Sequence, residues 1–170
     1  MHEVRYMRHF LFPFCVGLFM AACESSTPPW PALKAEIRQT YPNVKHISVE
    51  DFRAMEKRGV FLVDVRAKEE YRVSHIRHAV NFEQPKAIKS AFRESGKFIF
   101  VLYCSVGYRS AHLADKLQSQ VDAPVYNLEG SIFEWVNAGH PVYRGETRVT
   151  EVHPYDAEWG VLLKKEYHPN

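Results

Sequence analysis

The chain has 170 residues, 46% of them hydrophobic and 25% charged, which is room for one domain with a core of its own plus extensions. Its net charge is +2 with the histidines neutral, and it has no basic run and no ladder of aromatic and basic residues. No nucleic-acid partner is therefore expected.

Arg5 and Arg8 precede an apolar stretch from Phe10 to Ala22, with the length and flanks of a secretory signal and too few residues for a usual membrane span. Met20-Ala21-Ala22-Cys23 resembles a bacterial lipobox, in which small residues precede a cysteine that takes lipid and becomes the new N-terminus. Residues 1–22 are thus expected to be a signal peptide, Cys23 the lipidation site and 23–30 a tether, giving a membrane-anchored lipoprotein in the periplasm. Met20 departs from the Leu common at its lipobox position, and the simpler alternative is an ordinary signal cleaved near Ala22. Of the three cysteines, Cys15 falls in the removed segment and Cys23 carries lipid, so Cys104 is left as one unpaired thiol. Without lipidation, a Cys23–Cys104 pairing has to be excluded.

Pro31 to Thr40 reads as a helix, with Leu33 and Ile37 one turn apart, in an N-terminal helical extension over 31–46 that covers a sheet edge. Ser48 is an N-cap for a helix that buries Phe52 and Met55 and ends at Gly59. Val60 to Val65 is a strand, Ala67 to Tyr71 a helical turn, His75-Ile76 a tight connection and Ala79 to Phe82 a short strand. Lys86 to Glu94 is helical and stops at Gly96. Phe98 to Tyr103 is an unbroken apolar run that suits a central strand covered on both faces. Apolar spacing resumes in a helix through Ala111, Leu113, Ala114, Leu117 and Val121. Val125 to Leu128 is a last strand, and Ser131 caps a helix carrying Ile132, Phe133, Trp135 and Val136. Strands alternating with helices at this spacing predict an α/β fold, a central parallel sheet with helices on both faces.

Cys104 therefore stands at the carboxyl end of the central strand, where open α/β sheets place their sites. A helix N-terminus and a nearby cation lower a thiol pKa, and Cys104 has both, with Arg109 as the cation. The N–H groups of Ser105, Val106, Gly107, Tyr108 and Arg109 can converge as an anion-binding nest, with Gly107 supplying the conformation a Cβ disfavours. The bland alternative is a small apolar cysteine at a strand end.

Three segments resemble the rhodanese superfamily. Leu62 to Ile76 contains Asp64-Val65-Arg66, then Glu70-Tyr71 and Ser74-His75-Ile76; Cys104-Ser105-Val106-Gly107-Tyr108-Arg109-Ser110 is similar to the family's active-site loop. Leu128-Glu129-Gly130-Ser131, Trp135 and Gly139-His140-Pro141-Val142 are similar to its closing segment. Ser74, Arg77-His78 and Ser131 depart from the residues usual at their positions. The resemblance implies one rhodanese domain over 47–143, whose cysteine takes a sulfane sulfur from a small donor, thiosulfate or a persulfide, and passes it to a thiol or cyanide-like acceptor. Cys104 is then the nucleophile, and Ser105, Val106, Gly107, Tyr108 and Arg109 bind the substrate. Arg109 either binds an anionic donor or braces the loop through a buried partner. The loop from Cys104 to Arg109 has six residues, one fewer than in phosphatase and arsenate-reductase relatives, and Tyr103 stands where protein tyrosine phosphatases carry His. Those activities are the lesser enzyme readings. A rhodanese fold used to dock a protein partner or sense redox state, without turnover, is the alternative of another class.

Asp64, Arg66, Glu70 and His75 are expected to form an ion-pair and capping network, with His75 donating to a carbonyl near the turn. Ile132, Phe133 and Trp135 are expected in the core. The other histidines show no ligand spacing, so no metal and no cofactor is expected. Residues 144–170 form a C-terminal extension too apolar to hang free. It is expected to pack on the domain or cover the active-site rim, with Tyr155 to Trp159 either supplying acceptor specificity or serving as a strap over an apolar face. A monomer is expected.

Overall fold

A computed structural model describes residues 30–55 and 59–169. The expected signal peptide, the Cys23 lipidation site and the tether up to residue 29 lie outside the described residues. The elements are α1 (Trp30–Thr40), β1 (Lys45–Ile47), α2 (Val49–Met55), β2 (Val60–Asp64), α3 (Lys68–Val73), β3 (Val80–Asn81), α4 (Pro85–Ser95), β4 (Ile99–Tyr103), α5 (Tyr108–Gln118), β5 (Val125–Leu128), α6 (Ser131–Asn137), β6 (Val142–Arg144), β7 (Thr147–Val149) and α7 (Ala157–Gly160). A 3-10 turn follows at Lys165–Tyr167.

Five strands form a parallel sheet in the order β1-β5-β4-β2-β3. The alternation of side chains along β4 explains the two-faced core. Val101 and Tyr103 point into one cluster with Leu33 and Ile37 of α1, Phe52 of α2 and Ile132, Phe133 and Val136 of α6. Phe100 and Leu102 point the other way, with Cys104 just beyond them, among Ile88 of α4 and Leu113, Ala114 and Leu117 of α5. Both sides of β4 are covered, so an apolar residue is favoured at every position.

Local chemistry sets the helix ends. Ser48 Oγ accepts the N–H of Asp51 at 3.0 Å and opens α2. Gly96, at φ 66°, closes α4 in the left-handed conformation. Three expectations are corrected. Within the expected helical extension 31–46, Lys45 and His46 belong to an edge strand, paired with Tyr126 and Asn127 of β5. Helix α5 begins at Tyr108 rather than near Ala111, so Arg109 and Ser110 occupy its first turn. Ser131 does not cap α6; Gly130 does, and Ser131 is its first residue.

After β5 and α6, the chain forms the antiparallel hairpin β6–β7. His75 and Tyr143 exchange backbone hydrogen bonds of 2.8 Å, fastening the hairpin to the end of α3. Residues 150–169 then run back over the domain. Val152 and Leu163 enter the core beside α6. Asn137 Nδ2 donates to Leu162 O at 2.7 Å, and Lys164 N donates to Asn137 Oδ1 at 3.0 Å. Among the described residues, no helix is long and apolar enough to cross a membrane.

Candidate active site

Cys104 directly follows β4 and is 1% exposed. Its own N–H donates to Ser131 Oγ at 3.0 Å, and Ser131 Oγ donates to Leu128 O at 3.0 Å. Ile132 N and Phe133 N donate to the carbonyls of Cys104 and Ser105 at 3.2 and 3.1 Å. The start of α6 therefore holds the loop after β4 in place. Ser131, at φ 50°, gives its hydroxyl to the neighbouring strand end and does not cap its helix.

The sulfur meets donors from the loop and from α5. Gly107 N–H donates to Sγ at 3.1 Å, and the Ser110 hydroxyl lies at 3.5 Å. Gly107 has φ 111°, a conformation L side chains rarely adopt, and it turns the loop into α5. Burial alone would push the Cys104 thiol up, but the Arg109 charge, the Ser110 hydroxyl and the N–H groups of Ser110 and Gly107 together outweigh it. The net direction is down, toward thiolate.

Arg109 has the buried partner that the bracing role calls for. Its Nη1 and Nη2 donate to the two oxygens of Glu70 at 2.8 and 2.9 Å, and Nη2 also donates to Ser105 Oγ at 3.0 Å. Ser105 Oγ in turn donates to Glu70 Oε1 at 3.1 Å. The guanidinium thus braces the loop against α3. Burial pushes the Glu70 carboxyl up, but hydrogen bonds from Arg109, its charge, that of Arg66 and the Ala67 N–H bring it below the usual value. For Arg109, burial opposes the charged form, and the Glu70 hydrogen bonds and the negative charges at Cys104 and Glu70 overcome it.

Asp64, Arg66 and Glu70 are paired and capping as expected, but in two separate ion pairs, Asp64–Arg66 and Glu70–Arg109, and His75 joins neither. Arg66 forms a bidentate pair with Asp64, both side chains fully buried, and its Nη2 also donates to Ser74 O at 2.6 Å. Glu70 accepts the Ala67 N–H at 3.0 Å and pairs with Arg109. His75 Nδ1 lies 3.1 Å from Ile76 O, and its ring stacks on Tyr71 with centroids 4.2 Å apart. Trp135 is buried, and its indole N–H donates to Pro141 O.

A cavity of about 170 Å³ opens above the sulfur, lined by Cys104, Ser105, Val106, Tyr108, Arg109, Tyr155 and Trp159. Of the six loop positions read from the sequence, Cys104, Ser105, Val106, Tyr108 and Arg109 line this cavity, and Gly107 gives its N–H to the sulfur. Sequence reasoning gave no role at the sulfur to Ser110, Asn127 or Ser131. Asn127 Oδ1 accepts from Ser110 Oγ at 2.6 Å, and its Nδ2 faces His46 Nδ1 at 3.2 Å. The signal for Ser110 was its place in the loop motif; Asn127 comes from a neighbouring strand and had none. Chemically, this is a buried sulfur biased toward thiolate, ringed by donors, at the floor of a small pocket.

Similar proteins bear on what such a sulfur does. A thiosulfate sulfurtransferase of Coxiella burnetii is 28% identical over 101 residues, covering 59% of this chain and 92% of that protein. A tRNA uridine(34) hydroxylase of the Aster yellows witches'-broom phytoplasma is 24% identical over 144 residues, 81% of this chain. The chain spans only about half that relative's length, 46%. Among solved structures, a Rhodopseudomonas palustris protein of unknown function, described as a possible tyrosine phosphatase, aligns at TM-score 0.51 and 26% identity, covering 69% of this chain and 96% of that one. A thiosulfate sulfurtransferase of Pseudomonas aeruginosa has the same fold at TM-score 0.55 and 24% identity, covering 61% of this chain and 20% of that one. The sequence model of the rhodanese-like domain matches residues 48–138, more than half of the chain and the whole run from the Ser48 cap through the Cys104 loop to α6, so this chain belongs to the rhodanese-like domain family.

Proposed function

We propose that the domain is a sulfurtransferase that carries sulfur as a persulfide on Cys104. The observation that carries this reading is the surround of Sγ: Gly107 N–H at 3.1 Å, the Ser110 hydroxyl at 3.5 Å and the Arg109 charge, all of which favour an anion there. The thiolate attacks the sulfane sulfur of a donor, the donor's S–S bond breaks and the donor leaves with the bonding pair, as sulfite from thiosulfate or as a thiolate from a persulfide. Cys104–S–S⁻ or its protonated form remains, and attack by a thiol or cyanide on the outer sulfur returns the Cys104 thiolate. No electron is gained or lost overall. The same donors that hold the thiolate hold the terminal sulfur of the persulfide. The curated sulfurtransferase relative supports the reading.

Phosphoester hydrolysis is the second cysteine chemistry, suggested by the description of the Rhodopseudomonas relative. The six-residue loop from Cys104 to Arg109 and the commitment of Arg109 to Glu70 weigh against it, because a phosphoryl group needs a wider ring and a free guanidinium. On our reading the sulfur chemistry takes place on the periplasmic side, with the domain held by lipid on Cys23. Intact mass of the purified protein before and after thiosulfate or an organic persulfide tests the chemistry. Gain of one sulfur atom in wild type but not in Cys104→Ser, reversed by cyanide, is the expected result. Loading that persists in Cys104→Ser rejects it.

A further inference from the structure

The pocket above Cys104 is completed by two side chains that lie beyond the family match. Tyr155 and Trp159 come from the C-terminal extension, past residue 138, and both line the cavity with Cys104. They are held there by specific contacts. Tyr155 adopts φ 70°, uncommon for a bulky residue, while its N–H donates to His153 Nδ1 at 3.0 Å. Its ring lies over the Arg109 guanidinium at 4.5 Å. Asp156 caps α7 by accepting the Trp159 N–H at 2.8 Å, and Trp159 packs against the core that holds Val152 and Leu163.

Charge and shape then favour one class of donor. Arg109 carries the one cationic side chain lining this cavity among the described residues, and both of its terminal nitrogens are committed to Glu70. A dianion such as thiosulfate brings two charges to a guanidinium that already shares its own with Glu70, beneath largely aromatic walls whose few polar hydrogens replace little of its hydration. The cavity, at about 170 Å³, is several times the roughly 30 Å³ share of one liquid water, so it has room for a group attached to the reacting sulfur. Val106, Tyr108, Tyr155 and Trp159 give that group apolar and aromatic surface.

Building on the sulfurtransferase reading, we propose that Tyr155 and Trp159 are specificity residues that select an organic persulfide, R–S–SH with an apolar R group, over thiosulfate. The Cys104 thiolate attacks the outer sulfur, the S–S bond breaks, Cys104–S–SH forms and R–S⁻ leaves along the aromatic wall. Atoms, charge and electrons balance with no added oxidant.

The test compares kcat/KM for butyl persulfide and for thiosulfate in the wild-type protein, in Tyr155→Asn and in Trp159→Leu. Asn accepts the left-handed conformation, so Tyr155→Asn removes the ring while keeping the backbone path. The wild type is expected to prefer butyl persulfide, and each variant to lower the ratio of the two kcat/KM values by about tenfold or more, as for loss of apolar contact in a specificity pocket. A wild type that prefers thiosulfate, or a ratio unchanged in folded variants, overturns the proposal while leaving sulfur transfer in place. If neither donor loads Cys104 in the wild type, sulfur transfer itself fails, and this selectivity with it.

Discussion

Both terminal nitrogens of Arg109 end on one carboxylate, that of Glu70, Nη1 at 2.8 Å and Nη2 at 2.9 Å. The pair ties the first turn of α5 to α3, and with it the loop that carries the sulfur. Glu70→Gln leaves the guanidinium half-buried without its counter-charge. Removing one partner of a fully buried pair costs about 3–5 kcal/mol, and partial exposure of Arg109 lowers this to about 2 kcal/mol. The midpoint of urea unfolding is expected to fall accordingly. The pH dependence has a definite sign. Because the Glu70 carboxyl lies below its usual 4.5 in the folded protein, its contribution is complete above that value. It is lost as pH falls through the lower folded-state value, and Glu70→Gln removes that part of the acid sensitivity.

Thiol reactivity follows from the donors around Sγ. Alkylation of Cys104 by iodoacetamide, followed against pH, is expected to show a midpoint below the ordinary 9.0, because the net shift is downward. Ser110→Ala removes one donor and moves the midpoint up.

Asn127 gives the opposite sign. The Ser110 hydroxyl has one proton and two acceptors in range, Asn127 Oδ1 at 2.6 Å and Cys104 Sγ at 3.5 Å. Asn127→Leu removes the competitor, so the proton that the two acceptors share in the wild type turns wholly to the sulfur and the alkylation midpoint moves down. An upward move would mean that Asn127 supports the thiolate through the geometry of Ser110.

Gly107→Ala puts a Cβ on a residue at φ 111°. The surroundings leave ordinary contact distance, 3.5 Å to Leu128 O, so the cost is conformational, about 1–2 kcal/mol. As the loop relaxes, the Gly107 N–H turns away from the sulfur. Thermal unfolding is expected to show a modest drop in Tm, with slower alkylation at neutral pH in the same protein.

Arg66 and Asp64 form a fully buried pair between the sheet and the turn at Ser74. Arg66→Lys keeps the charge but loses the fork that reaches both Asp64 and the Ser74 carbonyl. Arg66→Met leaves Asp64 buried and unpaired, at a cost of about 3–5 kcal/mol. Chemical denaturation is expected to rank wild type above Arg66→Lys and Arg66→Met lowest.

What could be read in the sequence depended on how local each signal was. The apolar run into Cys104 marked a central strand because burial on both faces leaves no polar position. Strand β1 escaped notice because Lys45-His46-Ile47 offers three residues and one buried side chain, too little for an alternating pattern. The true start of α5 was hidden because its N-cap is Gly107, which carries no capping side chain. At the site, Cys104 and Arg109 were visible as a motif, whereas Asn127 reaches Ser110 only because β5 lies beside β4, with Leu102 opposite Asn127. No sequence spacing reports such a contact. Ser131 misled for a related reason: its type suggests a cap, but its hydroxyl was needed across the sheet.

The central sheet is bounded by short strands on both sides. Its two outer strands are its shortest, β1 with three residues and β3 with two. A free strand edge is a template on which another chain can extend the sheet, and the hazard grows with the length of the unpaired ladder. Here the long apolar strands β2 and β4 are enclosed, and each margin offers only a few backbone groups. Crowding many copies of the domain into a small space would therefore do little to seed aggregation through strand addition.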